Sequence, residues 1–104
     1  MATLARKNRI HACGKFDTDG TILVAGTGNW SVVHNGNGDY TVTLSANALI
    51  DPAERVIHVQ SHVTSTMAGT IPASDTDSVF QVNVENDASA ATDAAVAFVV
   101  LRAA

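Results

Sequence analysis

Apolar and polar positions in this chain alternate with a period of two, most plainly between Gly26 and Ser45, GTGNWSVVHNGNGDYTVTLS. Tyr40, Val42 and Leu44 alternate with Thr41, Thr43 and Ser45, which gives one apolar face and one hydroxyl-bearing face. Ahead of them, Trp30 and Val32 share a face with Asn29 and Ser31 opposite. The intervening His34-Asn35-Gly36-Asn37-Gly38-Asp39 supplies residues that tolerate the positive φ of a tight turn. The stretch predicts two antiparallel strands joined as a hairpin.

The same pattern recurs on both sides. Ile10 to Phe16 predicts a strand with Ile10, Ala12 and Gly14 on one face and His11, Cys13 and Lys15 on the other. Asp17-Thr18-Asp19-Gly20 reads as a turn, and Thr21 to Ala25 as a second short strand. Asp51-Pro52 ends any extended run and can open one helical turn. Arg55 to Thr64 predicts a strand with Ile57, Val59, Ser61 and Val63 facing one way and Val56, His58, Gln60 and His62 the other. Met67 to Asp77 reads as a loop, and Ser78 to Glu85 as a strand with Phe80, Val82 and Val84 on its apolar side. The closing run, Asp93 to Arg102, is apolar at nearly every position from Ala94 to Leu101.

Both faces of that last strand therefore require cover. Either loops of the same chain lie over its outer face, or another subunit does. The second reading marks Ala97, Val99 and Leu101, with His58 and His62 from the neighbouring pattern, as subunit-interface candidates. With six to eight short strands, Gly-rich turns and no helical periodicity, the expected fold is an all-β antiparallel β-sandwich of jelly-roll-like type. It spans residues 10–104, preceded by a short extended N-terminal arm at residues 1–9.

Composition bears on partners. At 104 residues the chain fits one domain, and its charged share of 15% is low beside the ~25% of ordinary domains. Low charge points the same way as the closing strand, towards surface that meets protein. Net charge is −4, but Arg6, Lys7, Arg9 and Lys15 precede every acid, and all ten acids follow from Asp17 onward. A basic arm on an acidic body suits an acidic partner surface, with Arg6, Lys7 and Arg9 as the contacts. The body would repel phosphates and no aromatic residue interleaves with the arm, so nucleic acid is not an expected partner. Nothing approaches a membrane span or a signal-peptide core, so the expectation is synthesis and assembly in a cytoplasm, with no membrane partner.

Three runs carry a resemblance: Gly14-Lys15-Phe16-Asp17-Thr18-Asp19-Gly20-Thr21-Ile22, Gly26-Thr27-Gly28-Asn29-Trp30-Ser31-Val32 and Asn35-Gly36-Asn37-Gly38-Asp39-Tyr40-Thr41-Val42-Thr43-Leu44. With the ending Asp93 to Val100, they are similar to small β domains of tailed-phage virion proteins, of the capsid-decoration or head- and tail-fibre C-terminal type. The resemblance implies a structural virion protein assembled as a homotrimer. Fibre domains usually follow a long shaft, whereas here the domain begins after a dozen residues. The favoured expectation is a capsid decoration (cement) protein that binds the major capsid protein, or another virion protein, and stabilises the shell. The alternative is a fibre tip that binds a host receptor or glycan, with Trp30 and Tyr40 as stacking platforms if they are exposed.

Catalytic and metal readings are weak. His11 and Cys13 share a strand face, but no third ligand or oxyanion loop accompanies them. His58 and His62 stand ~13 Å apart along a strand, too far to grip one ion within a subunit, although copies of either could converge around a threefold axis. Asp17-Thr18-Asp19-Gly20 lacks the later Glu of a calcium loop. A lone Cys13 excludes an internal disulfide. No nucleotide fingerprint or catalytic carboxylate pair is present, so neither enzymatic activity nor a cofactor is expected.

Overall fold

The computed structural model describes residues 10–71 and 75–102. These form eight strands: β1 Ile10–Phe16, β2 Ile22–Val24, β3 Trp30–Gly36, β4 Asp39–Leu44, β5 Arg55–Ser61, β6 Thr66–Thr70, β7 Val79–Asn86 and β8 Val96–Arg102. One antiparallel sheet, A, has the order β2-β1-β8-β5, and the other, B, the order β3-β4-β7-β6. The first and last long strands pair in the middle of sheet A, and the chain changes sheet four times, after β2, β4, β5 and β7. The result is the expected all-β sandwich of jelly-roll-like type.

Period-two alternation places the core. Ala12 and Phe16 of β1, Tyr40, Val42 and Leu44 of β4, Phe80, Val82 and Val84 of β7, and Val96, Phe98 and Val100 of β8 are all buried between the sheets. The chain's five aromatic residues form one continuous string through that core. Ring centroids lie 4.9 Å apart for Tyr40 and Phe16, 6.5 Å for Phe16 and Trp30, 4.7 Å for Trp30 and Phe98, and 5.6 Å for Phe98 and Phe80. These separations suit tilted and edge-on aromatic packing. His34 stacks on Tyr40 at one end of the string, and the Arg55 guanidinium lies 5.9 Å from the Phe80 ring at the other.

The hairpin turns at Asn37-Gly38, where Gly38 adopts φ +66° and donates its N–H to Asp93. A Cβ at Gly38 would run into the Val84 carbonyl, so this position requires glycine for space as well as for φ. Between β4 and β5 the chain makes two short 3₁₀ turns, Ala46–Ala48 and Pro52–Glu54. Asp51 caps the second by accepting the Ala53 N–H at 2.9 Å, and Pro52 fills its first position, as the Asp-Pro pair predicted.

Several boundaries differ from the sequence reading. The Met67 to Asp77 loop contains most of β6, an edge strand whose Ala and Gly residues carry little strand propensity. Its ladder with β7, Ala68 opposite Val84, supplies the backbone partners that its own pattern does not advertise. β5 ends at Ser61 rather than Thr64, because Ser65 takes φ 62° and turns the chain, leaving Val63 exposed and off the core face. β2 shrinks to three residues, and the last strand starts at Val96. The N-terminal arm lies outside the described residues.

Candidate functional site

The two sheets turn very different surfaces outward. On sheet A, strand register aligns Val24, Lys15, Ala97 and Gln60 in one row, and Cys13, Val99 and His58 in the next. Leu101 and Val56 follow, with Ile10 beside Leu101. Neighbours across such rows stand ~5 Å apart, so the rows form one contiguous surface. It holds no Asp or Glu and a single Lys. Ala97, Val99 and Leu101 are half-buried, while Ile10, Val24 and Val56 are 53%, 54% and 52% exposed. Exposure of this order means that nothing among the described residues lies over the face. At its centre a depression of about 160 Å³ opens above Ala97, bordered by His58, Gln60 and Val99, because Ala97 is short beside its neighbours.

Sheet B presents Ser31 beside Thr43, Val33 beside Thr41 and Gln81, and Asp39 beside Asn83 and Gly69. Asn35 Nδ2 donates to Thr41 Oγ1 at 2.7 Å, and Gln81 Nε2 donates to Asp39 Oδ1 at 2.6 Å. Amide, hydroxyl and carboxylate groups bonded to one another in this way make an ordinary water-facing sheet surface. The larger run of exposed aliphatic residues therefore belongs to sheet A, although Val33 and Met67 also stand exposed on sheet B.

The structure brings together four of the five interface candidates. Ala97, Val99 and Leu101 project from the outer side of β8, and His58 sits directly opposite Val99. His62 does not join them: it falls one residue past β5, exposed, with its backbone N–H donating to the Ala95 carbonyl at 2.8 Å. Arg6, Lys7 and Arg9 lie outside the described residues. Ile10, Val24 and Val56 complete the face and were not singled out by the sequence, since a lone exposed aliphatic carries no signal until register sets it beside others.

Several of the other candidate residues make contacts within the fold. His11 places its Nε2 2.7 Å from the Ala48 carbonyl. Trp30 is 6% exposed and its Nε1–H is shared between the Cys13 and Ala25 carbonyls at 3.0 and 2.9 Å. Tyr40 is fully buried. With every aromatic ring inside, no stacking platform for a sugar remains on Trp30 or Tyr40. Asp17 and Asp19 accept from the Thr18 and Thr21 N–H groups of their own turn. The bond from Thr21 holds the Asp19 carboxyl below its usual pKa.

One polar cluster escaped the sequence reading. Asp93 Oδ1 accepts from Gly38 N at 2.7 Å and lies 2.9 Å from His34 Nε2 and 3.4 Å from the Tyr40 hydroxyl. The Tyr40 hydroxyl donates mainly to the Thr18 carbonyl at 2.8 Å. The Gly38 N–H, helped by His34, keeps the Asp93 carboxyl below the usual carboxylate range, and burial pushes the Tyr40 phenol up to about 12. The cluster ties the hairpin tip to the 17–20 turn and to the segment entering β8. Its members stand as many as 59 positions apart, so no local pattern reveals it.

No family model, no curated protein and no solved structure matches this chain.

Proposed function

We propose that this protein is a structural component of a phage particle, a homotrimeric capsid decoration protein that binds the outer shell and stabilises it without performing chemistry. The observation that supports this reading most is the contrast between the outer faces: sheet A offers a charge-poor apolar surface open to a partner, while sheet B is polar and internally bonded. A small β-sandwich that leaves one outer sheet face apolar and poor in charge is suited to assembly. The basic arm, with Arg6, Lys7 and Arg9, then adds attraction to an acidic coat surface, an effect that weakens with salt. The resemblance to tailed-phage virion domains supplies the kind of particle.

The test compares particles assembled with and without the protein by electron microscopy. Added density on the shell supports decoration, and density at a fibre end supports the fibre-tip alternative. A full-length variant carrying Arg6→Ala, Lys7→Ala and Arg9→Ala should keep its fold and lose most particle binding at low salt. Undiminished binding would show that the arm is not the tether.

A further inference from the structure

We infer that the outer face of β1, β8 and β5 is where copies of this chain meet one another, with the Ala97 depression and the Val99–His58 row at the centre of the contact. The inference rests on the assembly part of the proposed function and names the surface responsible for it.

Three features favour a second copy over a foreign partner. The first is charge. The exposed rows contain Lys15 and no acid, so the same surface repels its own copy little. A partner recognised through charge would find almost nothing here to pair with. The second is shape. The face carries both a hollow, the depression of about 160 Å³ over Ala97, and projecting aliphatics, Val56 and Val24, each more than half exposed. Knob and hollow on one surface suit contact between identical copies, the knob of each seated in the hollow of the next, as in the heterologous contacts that close a ring. The third is size. β1, β8 and β5, each seven residues long, and the three-residue β2, ~4.8 Å apart, give a face of about 380 Å² in projection, before side-chain relief is counted. That is about half of the ~800 Å² that each partner contributes to a standard stable interface.

The edges point the same way. β2 is a sheet edge whose three residues, Ile22, Leu23 and Val24, are all more than two-fifths exposed. An apolar edge strand left open invites uncontrolled pairing, and natural proteins cover or charge such edges. Contact through sheet A would bring the β2 and β5 edges to the margins of the interface.

The experiment uses the full chain at micromolar concentration, with its mass measured by light scattering after gel filtration. An oligomer is expected. Ala97→Glu plants a charge in the hollow and should yield monomer with an unchanged far-ultraviolet spectrum. Should Ala97→Glu fail to fold, Val56→Glu, at a half-exposed position, carries the same test. Thr43→Lys on the outer face of sheet B should leave the oligomer intact. Cys13, the only cysteine, lies in the central row and reports on the contact. Its reaction with a maleimide should be at least tenfold slower in the oligomer than in folded Ala97→Glu. A full chain that is monomeric, or folded Ala97→Glu and Val56→Glu proteins that still assemble, would overturn the inference. Copies assembling through another surface would leave the particle-binding proposal standing. Loss of that proposal with Ala97-dependent assembly intact would be the opposite result.

Discussion

Gly14 passes directly beneath the Trp30 indole, and a Cβ added at Gly14 would overlap the ring. The indole is fixed from three sides. Its N–H is held by two carbonyls, its ring stands at 89° to the Phe98 ring, and the Gly14 backbone lies against it. Gly14→Ala must therefore displace the indole or the strand, at a cost of about 1–3 kcal/mol, the usual range for overpacking a well-filled core. Trp30 is the sole tryptophan, so urea unfolding followed by its emission reads both the lost stability and any red shift of the native spectrum. A variant with wild-type midpoint and emission would contradict this packing.

Asp93 joins segments distant in sequence through one oxygen. Replacing it with Ala strips the Gly38 N–H and His34 of their acceptor, which should lower stability by about 1–3 kcal/mol at neutral pH. The pH dependence follows from its lowered pKa. A carboxylate held below its unfolded value stabilises the fold above that value, and the benefit is lost as pH falls through the folded one. The difference between wild type and Asp93→Ala should be largest near neutrality and shrink below about pH 4. Parallel denaturant titrations at neutral and acid pH measure it.

The fold was largely legible because period-two alternation is a local property. Tyr40, Val42 and Leu44 announced a strand with one buried face, and Asn37-Gly38 announced its turn. The Asp93 cluster was illegible, since its geometry exists only after β4, the 17–20 turn and the segment before β8 converge. β6 was missed for a related reason: Thr66 to Thr70 is a strand because β7 lies beside it, not because its own residues favour one. The outward apolar side of β8 was visible as an unexplained excess of aliphatic residues. That Val56 and Val24 would extend it, and that His62 would not, depended on register and on the turn at Ser65.

Tyr40 makes the fold sensitive to alkali. Burial raises its phenol from about 10 to about 12, so the neutral form is the one the core accommodates. The sign is opposite to that of Asp93: stability is complete below the unfolded value of about 10 and falls as pH rises towards 12. A shift of this size corresponds to about 2–3 kcal/mol. Tyr40→Phe removes the titration and should flatten stability between pH 9 and roughly 11.5 relative to wild type. It should also cost about 1 kcal/mol at neutral pH through the lost bond to the Thr18 carbonyl. Thermal melts across that pH series decide the matter.

Arg55 is the one buried cation among the described residues, and its partners argue for a role as a strut. Its guanidinium donates to the Thr76 carbonyl at 2.9 Å and to the Ile50 and Val79 carbonyls at 3.3 Å, and stands 3.5 Å from an Asp75 carboxylate oxygen. It thereby fastens the β4–β5 connection to the segment entering β7. Three carbonyls at different angles match a planar fork with several donors and do not match a single ammonium. Arg55→Lys should therefore recover only part of the stability that Arg55→Ala loses, and the full loss should reach about 3–5 kcal/mol because three carbonyls lose their donor as well as Asp75 its cation. If the ion pair dominates, Asp75→Asn should cost nearly as much as Arg55→Ala, and the double variant little more. If the carbonyl contacts dominate, Asp75→Asn should cost far less. The carbonyls outnumber the carboxylate and one of them is closer, so the second outcome is expected from a double-mutant cycle read by urea denaturation.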